Sequence, residues 1–574
     1  MRYFLIHILI IILSLNSFSQ QITQSQKLFA SDRDIRDHFG QNIKIFDDFA
    51  FVAAPDEGDS YTTDSGLSSE NNHMGAVYVY VVDSNGSWVE SQKLIGSNRK
   101  ISDRFGSGLE RSDSVLVIGA YNYGELKEGA SYVFELNQNG QWVEVQRLQA
   151  SDKEEGSFFG GDVSVSNNII VVGAFGHSKG KHGSVSLKQS GAAYIFERDN
   201  QGEWQEKQKL VSPNRVKIGR FGHTVFMSNE YLAIGAINES TDQNGEDSLI
   251  KAGAVYIYEL DSESNWVFAQ KITPSDRYKY ENFGMELKIQ NNELFVGVCH
   301  KVVNDFQTAG AVYVFEKGDR GVWEEQQKII APEQHHRDYF GHSLAIYNNV
   351  MLVGGGWTKL IGAAYLYVKN ECGIWALVKE FGALGEEIGK DPQDNYGAYV
   401  SISKNNFLIG APHDRNAPGK QDVYDAGSSF LYKYSGFDSI RLSCDSIFPG
   451  ENIIITDSTI LIIDTIDSSI VEPEVYLDSV ILETDIDTIE ENNNDRTEFN
   501  IYPLRNNGNF TIEIIGKNDG PYPVSIQKVF GGIIQKLDLE DQKTEVQLPR
   551  QAKGVYLVKI TTSDGVQKTP IYVK

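Results

Sequence analysis

A unit of about sixty residues recurs through most of the chain, and this repetition limits the fold more than any other feature of the sequence. Each unit begins with an aromatic residue followed by glycine. An apolar run ending in a small pair follows, as in Gly119-Ala120, and then a Gly-Ala-x-Tyr run such as Gly253 to Tyr256. The seven aromatic-glycine pairs are Phe39-Gly40, Phe105-Gly106, Phe159-Gly160, Phe221-Gly222, Phe283-Gly284, Phe340-Gly341 and Tyr396-Gly397. Short apolar runs separated by turns predict a repeat protein built from β-strands.

A fourth element of the repeat starts with tryptophan and ends in Gln-Lys-Leu or a variant of it. It follows short turns such as Asn85-Gly86, which favour tight hairpins. Six repeats carry this tryptophan, and the six are Trp88, Trp142, Trp204, Trp266, Trp323 and Trp375. A seventh Gln-Lys-Leu, Gln26 to Leu28, stands alone before the first Phe-Gly, while the last repeat stops at Tyr434 without one. The N-terminal strand is therefore predicted to complete the last sheet.

Seven units of four strands, with one strand supplied from the opposite end, predict an all-β fold. We expect a seven-bladed β-propeller over residues 21–435, closed by its N-terminal strand, because closure removes free sheet edges. An open β-solenoid is the alternative, but it would not explain the displaced strand. The composition agrees, with 53 Gly, 28 Tyr and 29 Phe against 5 Met, a balance that favours strands over helices.

The repeat resembles the FG-GAP repeats of integrin α-subunit N-terminal propellers in its order of Phe-Gly, Gly-Ala-Pro and Gly-Ala-x-Tyr. The resemblance extends over roughly residues 24–435. It implies a propeller and, in many family members, a calcium ion held by a DxDxDG-type loop in the hairpin between the first and second strands. Here those hairpins are as short as Gln290 to Asn292, so no metal and no cofactor is predicted.

Two acidic clusters in loops between second and third strands are weak metal candidates. One comprises Asp242, Asn244, Glu246 and Asp247, and the other Asp56, Glu57 and Asp59. Solvated loop acids are the favoured interpretation of both.

Alternate connections of antiparallel strands lie on opposite faces of such a disc. The 2–3 loops vary in length and share a face with the 4–1 loops, so a ligand is expected on that face. Trp357, Tyr121, Tyr123 and Phe175 are the candidate ligand-binding residues, because the repeat itself does not require these loop aromatics. Packing between neighbouring loops is the alternative role for each of them.

Other reactive side chains do not form a recognisable catalytic motif. His223 and His342 both follow Phe-Gly and are assigned to the scaffold, and His177 and His182 to a loop. The chain contains no GxxxxGK[ST] motif, and no Ser, His and Asp set stands out from the repeat background, so no enzyme is predicted. Three cysteines, Cys299, Cys372 and Cys444, are odd in number and far apart, and no disulfide framework can be assigned from them.

The two ends of the chain carry export signals. Residues 1–20 are predicted to be a secretory signal peptide, since the apolar run is too short for a membrane anchor, which is the alternative. Residues 436–497 are rich in Asp, Ile, Ser and Thr and are predicted to be an acidic linker, either an extended spacer or a small β domain. Residues 498–574 are predicted to be a small β-sandwich, and they resemble the type A C-terminal sorting domain of bacterial type IX secretion through Tyr502-Pro503, Gly508-Asn-Phe510 and Gly554-Val-Tyr556.

The net charge of −26 would repel nucleic acid and anionic lipid. We therefore predict a secreted or cell-surface binding or adhesion protein that reaches the exterior of a bacterium through the periplasm. Its expected partners are a protein or glycan ligand and, through the C-terminal domain, the outer-membrane secretion machinery. A secreted enzyme on a propeller scaffold and a passive surface-layer component are the alternatives.

Overall fold

The computed structural model describes most of the propeller and the strands of the C-terminal region. The described residues are 22–58, 62–63, 66–67, 72–180, 186–318, 320–356, 362–382, 394–415 and 423–434, followed by 452–456, 459–463, 498–502, 505–506, 509–515, 522–528, 533–539, 541, 543–548, 554–562 and 565–573. The predicted signal peptide lies outside them. The chain divides into two compact units, Met1–Ile463 and Asp464–Lys574.

The described part of the first unit forms seven four-stranded antiparallel sheets, which we call blades one to seven in chain order. Blades one to three consist of Asn42–Ile45, Phe49–Ala54, Ala76–Val82 and Trp88–Leu94; Leu109–Ser112, Val115–Ala120, Ala130–Leu136 and Trp142–Leu148; and Phe159–Ser166, Ile169–Ala174, Ala192–Arg198 and Trp204–Leu210. Blades four to six consist of Phe221–Met227, Tyr231–Ala236, Ala254–Leu260 and Trp266–Ile272; Glu286–Gln290, Glu293–Val298, Ala311–Lys317 and Trp323–Ile329; and Ser343–Tyr347, Val350–Gly355, Ala363–Lys369 and Trp375–Phe381.

Blade seven combines the two ends of the repeat region. Its strands are Tyr399–Ile402, Asn406–Ala411, Ser428–Tyr434 and the N-terminal strand Ile22–Leu28, which pairs antiparallel with Ser428–Tyr434. The first strands of all neighbouring blades contact one another, including those of blades seven and one. The predicted seven-bladed propeller, closed by the N-terminal strand, is therefore confirmed.

The repeated glutamine and tryptophan join each blade to the next. The side-chain amide of Gln26 donates to the Trp88 carbonyl at 2.6 Å and accepts from the Trp88 backbone N–H at 2.9 Å. The same pair of bonds recurs five more times, at Gln92–Trp142, Gln146–Trp204, Gln208–Trp266, Gln270–Trp323 and Gln327–Trp375. A half-buried amide that is satisfied on both sides fixes the spacing of two sheets. This explains why both residue types recur together.

The aromatic-glycine pair places each first strand beside the preceding blade. Phe39 is fully buried and packs edge-on against Tyr78, with ring centroids 5.4 Å apart. Gly40 has φ +97°, and a Cβ there would lie 2.5 Å from the Ser428 carbonyl oxygen. Only glycine permits both the backbone conformation and the close approach.

The C-terminal region contains further strands. Asn452–Thr456 and Thr459–Ile463 pair as a hairpin within the segment predicted to be linker, a pairing that the sequence did not indicate because interspersed aspartates argued against it. One sheet comprises Glu498–Tyr502, Asn509–Ile515 and Lys543–Gln547, and another comprises Arg505–Asn506, Tyr522–Lys528, Ile533–Leu539, Gly554–Thr562 and Gly565–Val573. The β-sandwich arrangement stays a prediction. The described residues include no helix that could span a membrane.

Candidate functional site

A channel runs along the axis of the propeller and is lined by the first strands of all seven blades. Its described part encloses about 230 Å³ and contains charged side chains, among them Lys44, Glu110 and Asp162. The Lys44 ammonium donates to Glu110 at 2.7 Å. Burial raises the pKa of Asp162 to about 6, although its carboxylate accepts a hydrogen bond from the Val225 backbone N–H.

The channel opens on the face formed by the 2–3 and 4–1 loops. Two pockets lie at this opening, with volumes of about 180 and 300 Å³, and both are lined by Gln41 and Tyr399. We call this opening the channel mouth. It lies on the face where the unequal loops led us to expect a ligand.

One residue of each blade is presented at the mouth by the same backbone geometry. It directly precedes the aromatic-glycine pair, and in every blade it has a positive φ between 53° and 58°. We call these seven residues the mouth ring: His38, Arg104, Phe158, Arg220, Asn282, Tyr339 and Asn395. The φ is uncommon for residues other than glycine, and its recurrence shows that the scaffold imposes it. The backbone is thus constant around the ring while the side chain changes from blade to blade.

Blades two to four give the mouth an aromatic side. Phe158 stacks on Phe175 with centroids 5.0 Å apart, and Tyr121 meets Phe158 edge-on at 6.0 Å. The guanidinium of Arg104 donates to the Tyr121 hydroxyl at 3.2 Å, and that of Arg220 lies 5.7 Å from the Phe175 ring centroid. Tyr121, Phe158 and Phe175 are half-buried, so part of each ring faces solvent beside the pocket.

Blades seven and one give the mouth a side made of imidazole and carboxylate groups. The Asp56 carboxylate lies 2.8 Å from His38 Nδ1, 2.8 Å from His73 Nδ1 and 3.1 Å from the Arg104 guanidinium. Burial opposes its ionisation, but the hydrogen bond from His38 and the charge of Arg104 together hold the pKa of Asp56 below its usual value. His413 lies next to His38, with ring centroids 4.6 Å apart.

The prediction that Asp56 and Glu57 are solvated loop acids is wrong. They are 4% and 6% exposed. Glu57 pairs with Lys93 at 2.7 Å and Arg99 at 2.6 Å, and Asp56 pairs with Arg104, so both carboxylates are buried beside cationic side chains from other parts of the chain. His177, assigned to a loop, is also fully buried. Sequence patterns missed these contacts because the partners lie tens of residues away.

The candidate ligand-binding residues separate in the structure. Tyr121 and Phe175 line one mouth pocket together, with ring centroids 6.4 Å apart. Tyr123 instead turns toward the outermost strand of blade two, where its hydroxyl accepts a hydrogen bond from Arg147 at 2.8 Å. Trp357 lies outside the described residues. The mouth-ring residues Arg104 and Phe158 were missed, although their variable position before each Phe-Gly could have identified them.

The weak metal candidates of blade four have other partners. Asp242 accepts hydrogen bonds from the backbone N–H groups of Asn244 and Glu246, which makes it the cap of a turn. Asp247 pairs with Arg277 at 3.2 Å. These contacts account for both carboxylates without an ion.

Two of the three cysteines are described. Cys299 is a buried free thiol, and burial raises its pKa to about 12, which makes it a poor nucleophile. Cys372, in the turn between the last two strands of blade six, is disulfide-bonded, which the odd number of cysteines did not predict.

Comparison with protein families identifies both parts of the chain. A model of the FG-GAP repeat matches residues 22–80, 88–134, 142–196, 266–315 and 323–367. A model of the secretion system C-terminal sorting domain matches residues 500–574. The chain carries FG-GAP repeats and a type IX sorting domain. Blades four and seven, which hold most of the unmatched repeat sequence, have the same four strands as the matched blades. The sorting domain places the protein outside the cell, either secreted or on the outer surface of a bacterium, and implies contact with the secretion machinery.

Solved structures match the chain only at low identity and low TM-score. A protein from Lactobacillus plantarum is 12% identical with a TM-score of 0.37, and the alignment covers 59% of this chain and 84% of that one. A candidate 6-phosphogluconolactonase from Bacteroides uniformis is 12% identical with a TM-score of 0.38, covering 67% and 99%. The periplasmic gluconolactonase of Pseudomonas aeruginosa is 14% identical with a TM-score of 0.37, covering 60% and 90%. No curated protein matches the chain.

Proposed function

We propose that the FG-GAP propeller is the binding module of an exported adhesion protein, and that the channel mouth holds a protein or glycan ligand. The mouth ring is the observation that supports this proposal most strongly. One backbone position is repeated seven times and carries a different set of polar, charged and aromatic side chains in different blades. A position that only stabilised the repeat would favour one residue type, as the buried aromatic and the glycine beside it do.

The aromatic side of the mouth has the properties of a recognition surface. Tyr121, Phe158 and Phe175 form a continuous patch beside a pocket of about 300 Å³. Arg104 and Arg220 flank the patch with donors for hydroxyl or carboxylate groups. Rigid aromatic rings beside arginine are typical of the residues that dominate binding energy at interfaces.

Binding fits the mouth better than catalysis does. Several of its polar groups are paired with one another, as in His38 with Asp56 and His300 with Asn282 at 3.1 Å. Catalysis needs an activated nucleophile or base within reach of a common point. The described mouth residues converge instead on mutual contacts, which hold a fixed surface in place.

A screen of the full chain on a glycan array, with a parallel pull-down from cell-surface protein, tests the proposal. Phe175→Ala and Trp357→Ala should each weaken the attachment that the screen finds by about tenfold or more, in line with roughly 2 kcal/mol for a buried aromatic anchor. Matched controls are Asn292→Lys and Asn405→Lys in the hairpins of the opposite face, where both residues are exposed.

The two control variants show which face of the propeller binds the ligand. Loss of attachment in the hairpin variants, with Phe175→Ala and Trp357→Ala unaffected, would assign the ligand to the opposite face. Attachment unchanged in all four variants would favour the passive surface-layer component. Turnover of a captured glycan or peptide would favour the enzyme.

A further inference from the structure

Three groups with metal-ligating chemistry meet where blade seven joins blade one. His38 precedes the first Phe-Gly, whereas His413 and Asp425 lie in the 2–3 loop of blade seven. One ring nitrogen of each histidine and one carboxylate oxygen of Asp425 lie within 4.8 Å of one another. His413 Nδ1 is 3.6 Å from Asp425 Oδ1. All three side chains are partly exposed, so an ion can reach them from solvent.

The backbone holds these three residues in place. The His38 backbone N–H donates to the Asp425 carbonyl at 3.2 Å, and the next N–H, of Phe39, donates to the Ala426 carbonyl at 3.0 Å. His38 and Asp425 both have a positive φ, of 53° and 52°. The His413 N–H donates to the Asp394 carbonyl at 3.2 Å. The side chains therefore have to adjust only through their own torsions when a ligand binds.

A second carboxylate orients one of the histidines. Asp56 is 4% exposed and lies 2.8 Å from His38 Nδ1. A proton held on Nδ1 by this carboxylate leaves the lone pair on Nε2. Metal-ligating histidines commonly have this arrangement, in which a buried carboxylate fixes the ring and its tautomer.

The neighbouring junction shows what the same three positions do when they hold other residues. Between blades one and two the equivalent residues are Asp56, His73 and Arg104, and they are in contact. Arg104 occupies the position of His38, and its guanidinium supplies the positive charge between the carboxylate and the imidazole. At the junction of blades seven and one that position holds a histidine, whose imidazole is a metal-ligating group.

We propose that His38, His413 and Asp425 bind a divalent transition-metal ion, for which zinc is the best fit, and that this ion links blade seven to blade one. Two nitrogen donors and one carboxylate suit zinc, whereas calcium requires six to eight oxygen ligands. Tetrahedral zinc with bonds of about 2.0–2.1 Å needs donors roughly 3.4 Å apart. His413 and Asp425, 3.6 Å apart, nearly meet this spacing, and the His38 nitrogen, within 4.8 Å of both, would have to move closer to them. Both histidines line the mouth pocket of about 180 Å³.

Zinc binding by the full chain, prepared without a histidine tag, tests this site and does not depend on the proposed ligand. Calorimetry should show one zinc ion per chain with a micromolar or lower dissociation constant. Zinc should raise the melting temperature by several degrees, and calcium should not. Hydrogen exchange in the closing strand Ile22–Leu28 should slow when zinc is added, because the ion ties the residues after that strand to blade seven.

Variants separate this site from other zinc-binding groups. His413→Gln and Asp425→Asn should each weaken zinc binding at least tenfold. The matched control His300→Gln changes the equivalent position of blade five and should bind zinc like the wild type. Each variant is compared with its own zinc-free melting curve, so a loss of stability is not mistaken for a loss of binding. Wild-type affinity in His413→Gln, or no stoichiometric zinc in the wild type, would overturn the proposal.

Discussion

The two sides of the channel mouth differ in chemistry although their backbones are equivalent. Between blades two and four the mouth is aromatic and cationic, with Phe158 stacked on Phe175. Between blades seven and two it consists of imidazole and carboxylate groups centred on Asp56. Both sides use the left-handed position before Phe-Gly and the first loop residues after the second strand. The buried repeat therefore determines where a side chain is presented, and the individual blade determines what it recognises.

The largest expected effect on stability comes from opening the propeller at blade seven, next to the imidazole side of the mouth. Deletion of residues 22–28 removes the fourth strand of blade seven, buried Ile22 and Leu28, and the Gln26 bridge to Trp88. The loss should cost on the order of 5–10 kcal/mol, enough to abolish a cooperative melt. Gln26→Ala, which removes only the bridge, should cost about 1–3 kcal/mol.

Hydrogen exchange on the deleted protein distinguishes the two sides. Exchange should accelerate first in blades seven and one and later in blades three and four. A truncated propeller that melts like the intact one would show that the N-terminal strand does not close the ring.

A smaller effect is expected from the carboxylate at the centre of the imidazole side. Asp56→Asn should lower the free energy of unfolding by about 2–3 kcal/mol at neutral pH. The reason is that His38, His73 and Arg104 would lose the buried negative charge that they contact. The pKa of Asp56 is held below its usual value, so its contribution is present above about pH 4 and is lost as the pH falls through the folded pKa. Denaturant melts at pH 7 and pH 3 should therefore differ more for the wild type than for the variant.

Asp48→Asn is the matched control on the opposite face of blade one. Asp48 is 55% exposed and pairs with Arg111, so its loss should cost less than about 1 kcal/mol. Equal costs for the two substitutions would contradict the central role of Asp56.

Acid should weaken the aromatic side through His223, which packs against Phe175 at 5.3 Å. Burial, followed by the charge of Arg220, lowers the pKa of His223 to about 4. The unfolded chain takes up this proton below about pH 6.5 and the folded chain does not, so stability is complete above that pH and falls toward pH 4. His223→Gln should reduce the loss of unfolding free energy between pH 6.5 and pH 4 by roughly 1–2 kcal/mol. An unchanged loss would show that His223 titrates alike in both states.

The smallest effect is expected in the outer loop of blade four. Asp242→Asn changes the acceptor that caps an exposed turn and should leave the melting temperature nearly unchanged. Calcium at millimolar concentration should leave the melting temperature unchanged in both proteins. A rise of several degrees in the wild type that Asp242→Asn abolishes would identify a calcium site that the described contacts do not suggest.

The fold could be predicted from the sequence because its determinants are local and repeated. Phe-Gly, the glycine of the third strand and the Gln–Trp pair each mark a fixed place in a blade. The Gln-Lys-Leu run at Gln26, which stands before the first Phe-Gly in the sequence, indicated ring closure. Repetition supplied six or seven observations of each feature, which a single-copy fold does not offer.

The candidate site was only partly predictable because its contacts join different blades. Tyr121 and Phe175 could be named as loop aromatics, but Tyr123 in the same loop turns to Arg147. Asp56 and Glu57 look like solvated loop acids in the sequence, but two arginines of the following 4–1 loop pair with them. Which way a loop side chain turns depends on partners tens of residues away, and spacing in the sequence does not reveal them.

The central claim is that the mouth, and not its surrounding loops, recognises the ligand. Titration of the ligand found by the screen against Tyr121→Ala and Tyr123→Ala tests this most directly, because the two tyrosines share a loop and only Tyr121 lines the mouth pocket. Tyr121→Ala should weaken binding at least tenfold, while Tyr123→Ala should bind as the wild type does. Weakened binding in Tyr123→Ala with wild-type affinity in Tyr121→Ala would contradict the account.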